Sequence, residues 1–95
     1  MMTGYVLVQC EVGKELEVSK LILKKYPKEV SEVMLCFGEY ELWLRVTTRN
    51  YVDFVSFVSH RLRKEIAGIV ATKTAPGKHR VYLNPEGEAI REDCA

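Results

Sequence analysis

The residues best able to do chemistry stand in two short stretches. In the first, Gly38-Glu39-Tyr40-Glu41 sets a pair of carboxylates around a tyrosine directly after a glycine; in the second, Thr72 and Thr74 offer hydroxyls at alternate positions. Carboxylates accept hydrogen bonds from a cation, hydroxyls both donate and accept, and a glycine turn lets a small molecule come close to backbone N–H groups. Taken alone, each group has an ordinary explanation: glutamates on a hairpin are usually solvated, and threonines are common strand residues. Nothing else in the chain forms a catalytic set. His60 and His79 lack any metal-ligand spacing, and Cys36 has no base patterned beside it to make a nucleophile. The expectation is a protein that is not an enzyme and needs no cofactor or metal.

The elements that must position these groups follow from periodicity. The apolar runs over 30–37 and 40–46 meet at Gly38, which supplies the backbone angles of a tight reversal and predicts a β-hairpin. A first strand is expected over 5–12, where Tyr5 and Leu7 share one face and Val6, Val8 and Cys10 the other. A helix follows over 14–26, stopped by Pro27, with Val18, Leu21, Ile22 and Tyr26 as its core stripe and Leu16 and Leu23 widening it. Asn50 is a good N-cap for a second helix whose stripe reads Tyr51, Phe54, Val55, Val58 and Leu62, leaving Phe57 to one side. Gly68 ends that helix, and 69–74 is the fourth strand.

The order βαββαβ folds most economically as an α+β, ferredoxin-like sandwich: a four-stranded antiparallel sheet, first and third strands central, both helices on one face. The other face would then be bare, yet the strands supply it with Leu35 or Met34, Trp43 or Leu42, and Leu7 or Val8, whichever set points there. A continuous apolar patch of that kind is unusual on a monomer. A homodimer packed sheet against sheet is therefore expected. Residues 1–77 make this domain. Residues 78–95 form an extension whose run Val81-Tyr82-Leu83 is expected to add a short strand to a sheet edge, with a mobile end after it.

Fourteen basic and 13 acidic residues leave a formal charge of +1, so nothing global favours nucleic acid or an anionic membrane. Cys10, Cys36 and Cys94 are an odd set without C-x-x-C spacing, which fits a reducing compartment. The start of the chain has no signal-peptide pattern, and no apolar run approaches the ~20 residues that span a bilayer. A cytoplasmic protein without membrane contact is expected.

Three patterns in order carry a resemblance: an apolar first strand and helix, then Val33-x-x-x-x-Gly38-x-Tyr40-Glu41-Leu42-x-Leu44-x-Val46, then a helix running into Gly68-Ile69-Val70-x-Thr72-x-Thr74. Over about residues 4–75 the chain resembles the effector-binding (RAM) domain of the Lrp/AsnC, or feast/famine, transcriptional regulators. The resemblance implies a ferredoxin-like fold, dimers joined through their sheets, assembly of dimers into larger rings, and an amino acid bound in clefts between subunits. Residues Gly38, Glu39, Tyr40, Glu41, Thr72 and Thr74 then become the candidate ligand site, with the glutamates toward an ammonium group. The family usually carries Asp where Glu41 stands, and its helix-turn-helix is missing here. The expectation is a stand-alone amino-acid-binding module that does not bind DNA directly and modulates transcription by co-assembling with full-length regulators.

Two other classes share the element order. RNA-recognition domains stack bases on aromatics of the central strands, and Tyr5 with Trp43 imitates that, but 38–43 is acidic where such a motif is basic. A small dimeric α+β-barrel enzyme of the monooxygenase-like kind is the alternative function; it would require a His or Asp aimed into a deep polar pocket.

Overall fold

The computed structural model describes residues 1–93, so Cys94 lies outside the described residues. Four strands, β1 (Met2–Cys10), β2 (Val30–Leu35), β3 (Leu42–Thr48) and β4 (Ile69–Pro76), pair antiparallel in the order β2-β3-β1-β4. The first and third strands are central, and the connectivity is that of the ferredoxin-like α+β sandwich. Helix α1 (Glu15–Lys25) joins β1 to β2. Helix α2 (Tyr51–Ser56) continues through a π-helical turn (Phe57–Leu62) into a last turn (Arg63–Glu65) and leads to β4.

The alternation of the strands decides the two faces of the sheet. Val6 and Val8 of β1 stand opposite Leu44 and Leu42 of β3, and all four are fully buried beneath the helices with Val18, Ile22, Tyr26, Phe54 and Leu62. The intervening residues take the other side, where Met34, Trp43, Leu7 and Lys73 form one row across all four strands. The open face therefore takes Met34, Trp43 and Leu7, and the helix side takes Leu42 and Val8. Tyr5 and Trp43 are each 46% exposed and Met34 is 57% exposed.

Both helices differ in phase from the expected stripes. On α1 it is Ser19, not Leu21, that is buried beside Val18 and Ile22; the Ser19 hydroxyl donates to the Leu16 carbonyl 2.8 Å away. On the second helix Phe54, Phe57, Val58 and Leu62 are buried while Tyr51 and Val55 are exposed. The π turn is the cause. It spends one residue more per turn than an α-helix, so Leu62 falls back in line with Phe54 and the buried arc swings toward Phe57. Asn50 caps this helix as its sequence predicts, its side chain accepting from the Asp53 N–H at 2.8 Å.

Past Pro76 the chain does not extend the main sheet. Residues β5 (His79–Leu83) and β6 (Ala89–Asp93) pair with each other as a separate hairpin, here called the arm, with 84–88 as its turn. Val81-Tyr82-Leu83 is thus a strand, but its partner is β6 and not a sheet edge, and 89–93, expected to be mobile, supply that partner strand. The Asn84 side chain closes the turn by accepting from the N–H groups of Glu86 and Glu88. At the root of the arm, Gly4 is buried, and a Cβ there would stand 2.7 Å from the Ala75 carbonyl oxygen and 2.9 Å from Pro76 Cα. Glycine at this position lets the end of β4 press against β1 before the chain turns away.

Candidate functional site

Glycine 38 sits in a loop longer than a two-residue reversal. Strand β2 stops at Leu35 and β3 starts at Leu42, and the loop is closed by the Cys36 N–H donating to the Glu41 carbonyl at 2.7 Å. Gly38 has φ +133°, a region closed to most side chains, and a Cβ there would meet nothing within 4 Å, so the loop backbone is open to approach. The first turn of α1 faces this loop. Between them lies a cleft of about 330 Å³ lined by Glu15, Leu16, Leu35, Cys36, Phe37 and Glu41.

Of the six residues named from the sequence, Glu41 lines this cleft, and Gly38, Glu39 and Tyr40 form the loop beside it. Glu41 is also a structural acceptor. Its Oε2 takes the Cys10 N–H at 3.1 Å, which satisfies the backbone where β4 bulges against β1 at Val70. Burial, then the charges of Glu41 and Glu15, push the Cys10 thiol up to about 11, so it stays protonated and unreactive at neutral pH.

Thr72 and Thr74 are not brought to this cleft within one chain. They pair with Val8 and Val6, share the helix side of the sheet with them, and are separated from β2 and its loop by β1 and β3. Glu15, Leu16, Leu35, Cys36 and Phe37 are the cleft residues that the sequence pattern did not single out as a site. A partial signal existed in Leu16, the leucine at the margin of the α1 stripe, since an apolar residue off the core face needs another neighbour.

A larger cleft, about 420 Å³, opens at the opposite end of β3, between the α1–β2 connection and α2, with Lys28, Arg49, Asp53, Phe57 and Arg61 among its walls. Its charges largely satisfy one another: Arg61 pairs with Glu29, and Arg49 with Asp53 at 3.1 Å. Next to it Tyr26 is fully buried, edge-on to Phe57 with ring centroids 5.0 Å apart. Its hydroxyl donates to Glu65 and lies 3.2 Å from the Arg61 carbonyl, and the Arg61 guanidinium rests 5.0 Å from the Tyr26 ring. Burial, then the bond to Glu65, raises the Tyr26 hydroxyl above its usual range, while that same bond holds the Glu65 carboxylate below its own. This constellation fastens the end of α1 to the π turn and explains why the turn is tolerated.

Between helices and sheet, the buried side chains of the described residues are apolar except Ser19 and Thr48. No His or Asp is among them, and no group of three or more His, Cys, Asp or Glu among the described residues could hold a metal. No helix among them is long and apolar enough to cross a membrane.

Comparison with solved structures agrees with this geometry. The protein described as FFRP-DM1 is 32% identical over 81% of this chain and 99% of its own, with a TM-score of 0.73. A hypothetical protein from Pyrococcus horikoshii is also 32% identical, over 81% of this chain and 89% of its own, with a TM-score of 0.71. A transcriptional regulator from Neisseria meningitidis, solved as a complex with L-methionine, shares the fold at 18% identity and a TM-score of 0.68, and the match covers 80% of this chain and 49% of that one. No family model matches the sequence, and no curated protein does. With its ferredoxin-like sheet, its open Gly38 loop and 32% identity to FFRP-DM1 over nearly the whole of that protein, the chain belongs to the Lrp/AsnC, or feast/famine, family as a RAM-type domain.

Proposed function

We propose that the protein is an amino-acid-binding regulatory module that works as a sheet-to-sheet dimer, binds its ligand without transforming it, and acts on transcription by assembling with full-length regulators of its family. The observation that carries the ligand is the cleft beside Gly38, where two carboxylates, Glu15 and Glu41, edge a wall of Leu16, Leu35 and Phe37. Carboxylates attract an ammonium group, loop N–H groups near a glycine can take a carboxylate, and the leucines and phenylalanine suit an apolar side chain. The same family support that names the domain, and the methionine held by the Neisseria protein, favour an amino acid over other amines. In this reading Thr72 and Thr74 serve only if a second subunit brings its β4 to the loop.

A thermal-shift screen of the twenty amino acids tests the proposal. Amino acids with apolar side chains are expected to raise the melting temperature. Stabilisation by none of them removes the sensor reading. Glu41→Gln keeps an acceptor for the Cys10 N–H but loses the charge, so it should weaken the ligand about tenfold or more with the fold intact; unchanged affinity would place the ligand elsewhere.

A further inference from the structure

We propose that the cleft between the root of the arm and the open face of the sheet is a second ligand site, one that takes the oxyanion of a small metabolite on Arg45. It is separate from the cleft beside Gly38 and does not depend on an amino acid binding there.

The register of the strands builds the site. On the open face one row runs Glu32, Arg45, Tyr5 and Ala75 across β2, β3, β1 and β4. Arg45 and Tyr5 are direct cross-strand partners, which sets their β-carbons about 5 Å apart on the same face. Ala75 ends the row beside Tyr5, and its small side chain leaves a gap that a larger residue would fill. The chain then turns at Gly77, and His79, Arg80 and Glu92 of the arm wall the gap in. The space enclosed is about 330 Å³, floored by Thr3, Tyr5 and Arg45. A volume of that size suits a small molecule and not a folded partner.

Arg45 is the group that the chain itself leaves unanswered. It is half-buried, and among the described residues its guanidinium has neither a hydrogen-bond acceptor nor a carboxylate within ion-pairing distance. The Tyr5 hydroxyl beside it likewise has no hydrogen-bond partner among them. The neighbouring charges do not cancel Arg45. Glu92 is held by Arg80, whose guanidinium lies 4.5 Å from the Tyr82 ring, and Arg91 reaches His79 at 2.8 Å. Glu32 stands beyond Arg45 at the far end of the row, exposed and outside the cleft lining, while Lys73 and Lys78 add exposed positive charge on the side of the arm. The described side chains around the cleft are therefore basic in sum. A guanidinium offers its N–H donors in a flat fork that matches two oxygens of a carboxylate or phosphoryl group, and a phenol adds one donor from the side. Arg45 and Tyr5 are that set.

The test follows the full chain by proton–nitrogen correlation NMR, at fixed protein concentration and at constant ionic strength so that general screening does not change. Inorganic phosphate and succinate are titrated in separate runs, and the Nε–H signal of Arg45 is read with the amides of Tyr5, Arg45 and Gly77. Saturable shifts confined to the cleft are expected with at least one probe. Phosphate alone assigns a phosphoryl ligand, succinate alone a carboxylate, and response to both an oxyanion of either kind. Arg45→Gln should weaken binding about tenfold or more, and Arg45→Lys, which keeps the charge and loses the fork, should fall between the two. Lys73→Gln, on the open face but outside the cleft, should bind as wild type. No shift with either probe overturns the proposal. Shifts that fail to saturate, or that spread equally over Lys73 and Lys78, overturn it as well, because they describe a basic surface and not a site. Unchanged binding in Arg45→Gln does the same, since Arg45 lies outside the core and the amide spectrum reports whether the variant is folded.

Discussion

Leu44 and Trp43 are neighbours in one strand, yet they live in different solvents. Leu44 is sealed under the helices with Val6 opposite, while Trp43 on the other side of the same backbone is nearly half exposed in a row with Leu7 and Met34. Both faces of the sheet carry large apolar side chains, on the bare face among Gln9, Glu32, Arg45 and Lys73; only the other face is covered within the chain. The helix side shows what a covered face looks like: largely aliphatic, with the buried Ser19 and Thr48 hydroxyls each donating to a backbone carbonyl. Met34, Trp43 and Leu7 put apolar surface on the bare side as well, and this is the observation behind the dimer proposed above.

Substituting the two neighbours breaks the comparison most directly. Leu44→Ala should cost about 2–5 kcal/mol in urea unfolding, from lost transfer energy and the cavity left behind. Trp43→Ala should cost less than about 1.5 kcal/mol, because much of its surface is already wet. Equal costs would mean that the two faces are not distinguished by burial. A smaller effect sharpens the helix side. Tyr26→Phe removes the bond to Glu65 and the contact with the Arg61 carbonyl, and should cost about 1–2 kcal/mol.

The smallest expected effect is a slope with pH. Cys10 holds its proton to about 11 in the folded chain, whereas an unburied thiol loses it near 9.0. Above that lower value the unfolded chain binds fewer protons than the folded one, so stability present below pH 9 declines as pH rises toward 11. Unfolding free energies at pH 9 and pH 10 should show the decline in the wild-type chain and a flatter profile in Cys10→Ala. Equal slopes would show that the dry side of the sheet does not hold this thiol protonated.

Much of this architecture is legible in the residues themselves. Alternation marks β1, β3 and β4, Asn50 announces its cap, Pro27 stops α1, and Gly38 marks the place where β2 turns back. Each of these is a local property, expressed within a few residues through steric preference or one side-chain hydrogen bond. The phase of the helices is less legible. Leu21 and Ser19 compete for the same arc, and hydrophobicity favours the leucine, but the serine satisfies its hydroxyl on its own helix and so is buried at little cost. The site is least legible of all. Glu41 reads as a hairpin charge until β1 places the Cys10 N–H beneath it, and Leu16 reads as a stray leucine until the Gly38 loop faces it.

By itself, then, the sequence determined the βαββαβ order, the glycine at the reversal between β2 and β3, and the presence of large apolar residues on both sides of the sheet; that the reversal is an open loop from Cys36 to Glu41 came from the structure. Only the tertiary structure decided which side the helices take, where the π turn re-phases the second helix, and that residues 79–93 pair with each other rather than with the sheet. Period and propensity act over a few residues and are blind to what lies across the fold. Which of two apolar faces is covered depends on the hand of the crossovers and on packing between segments far apart in the chain.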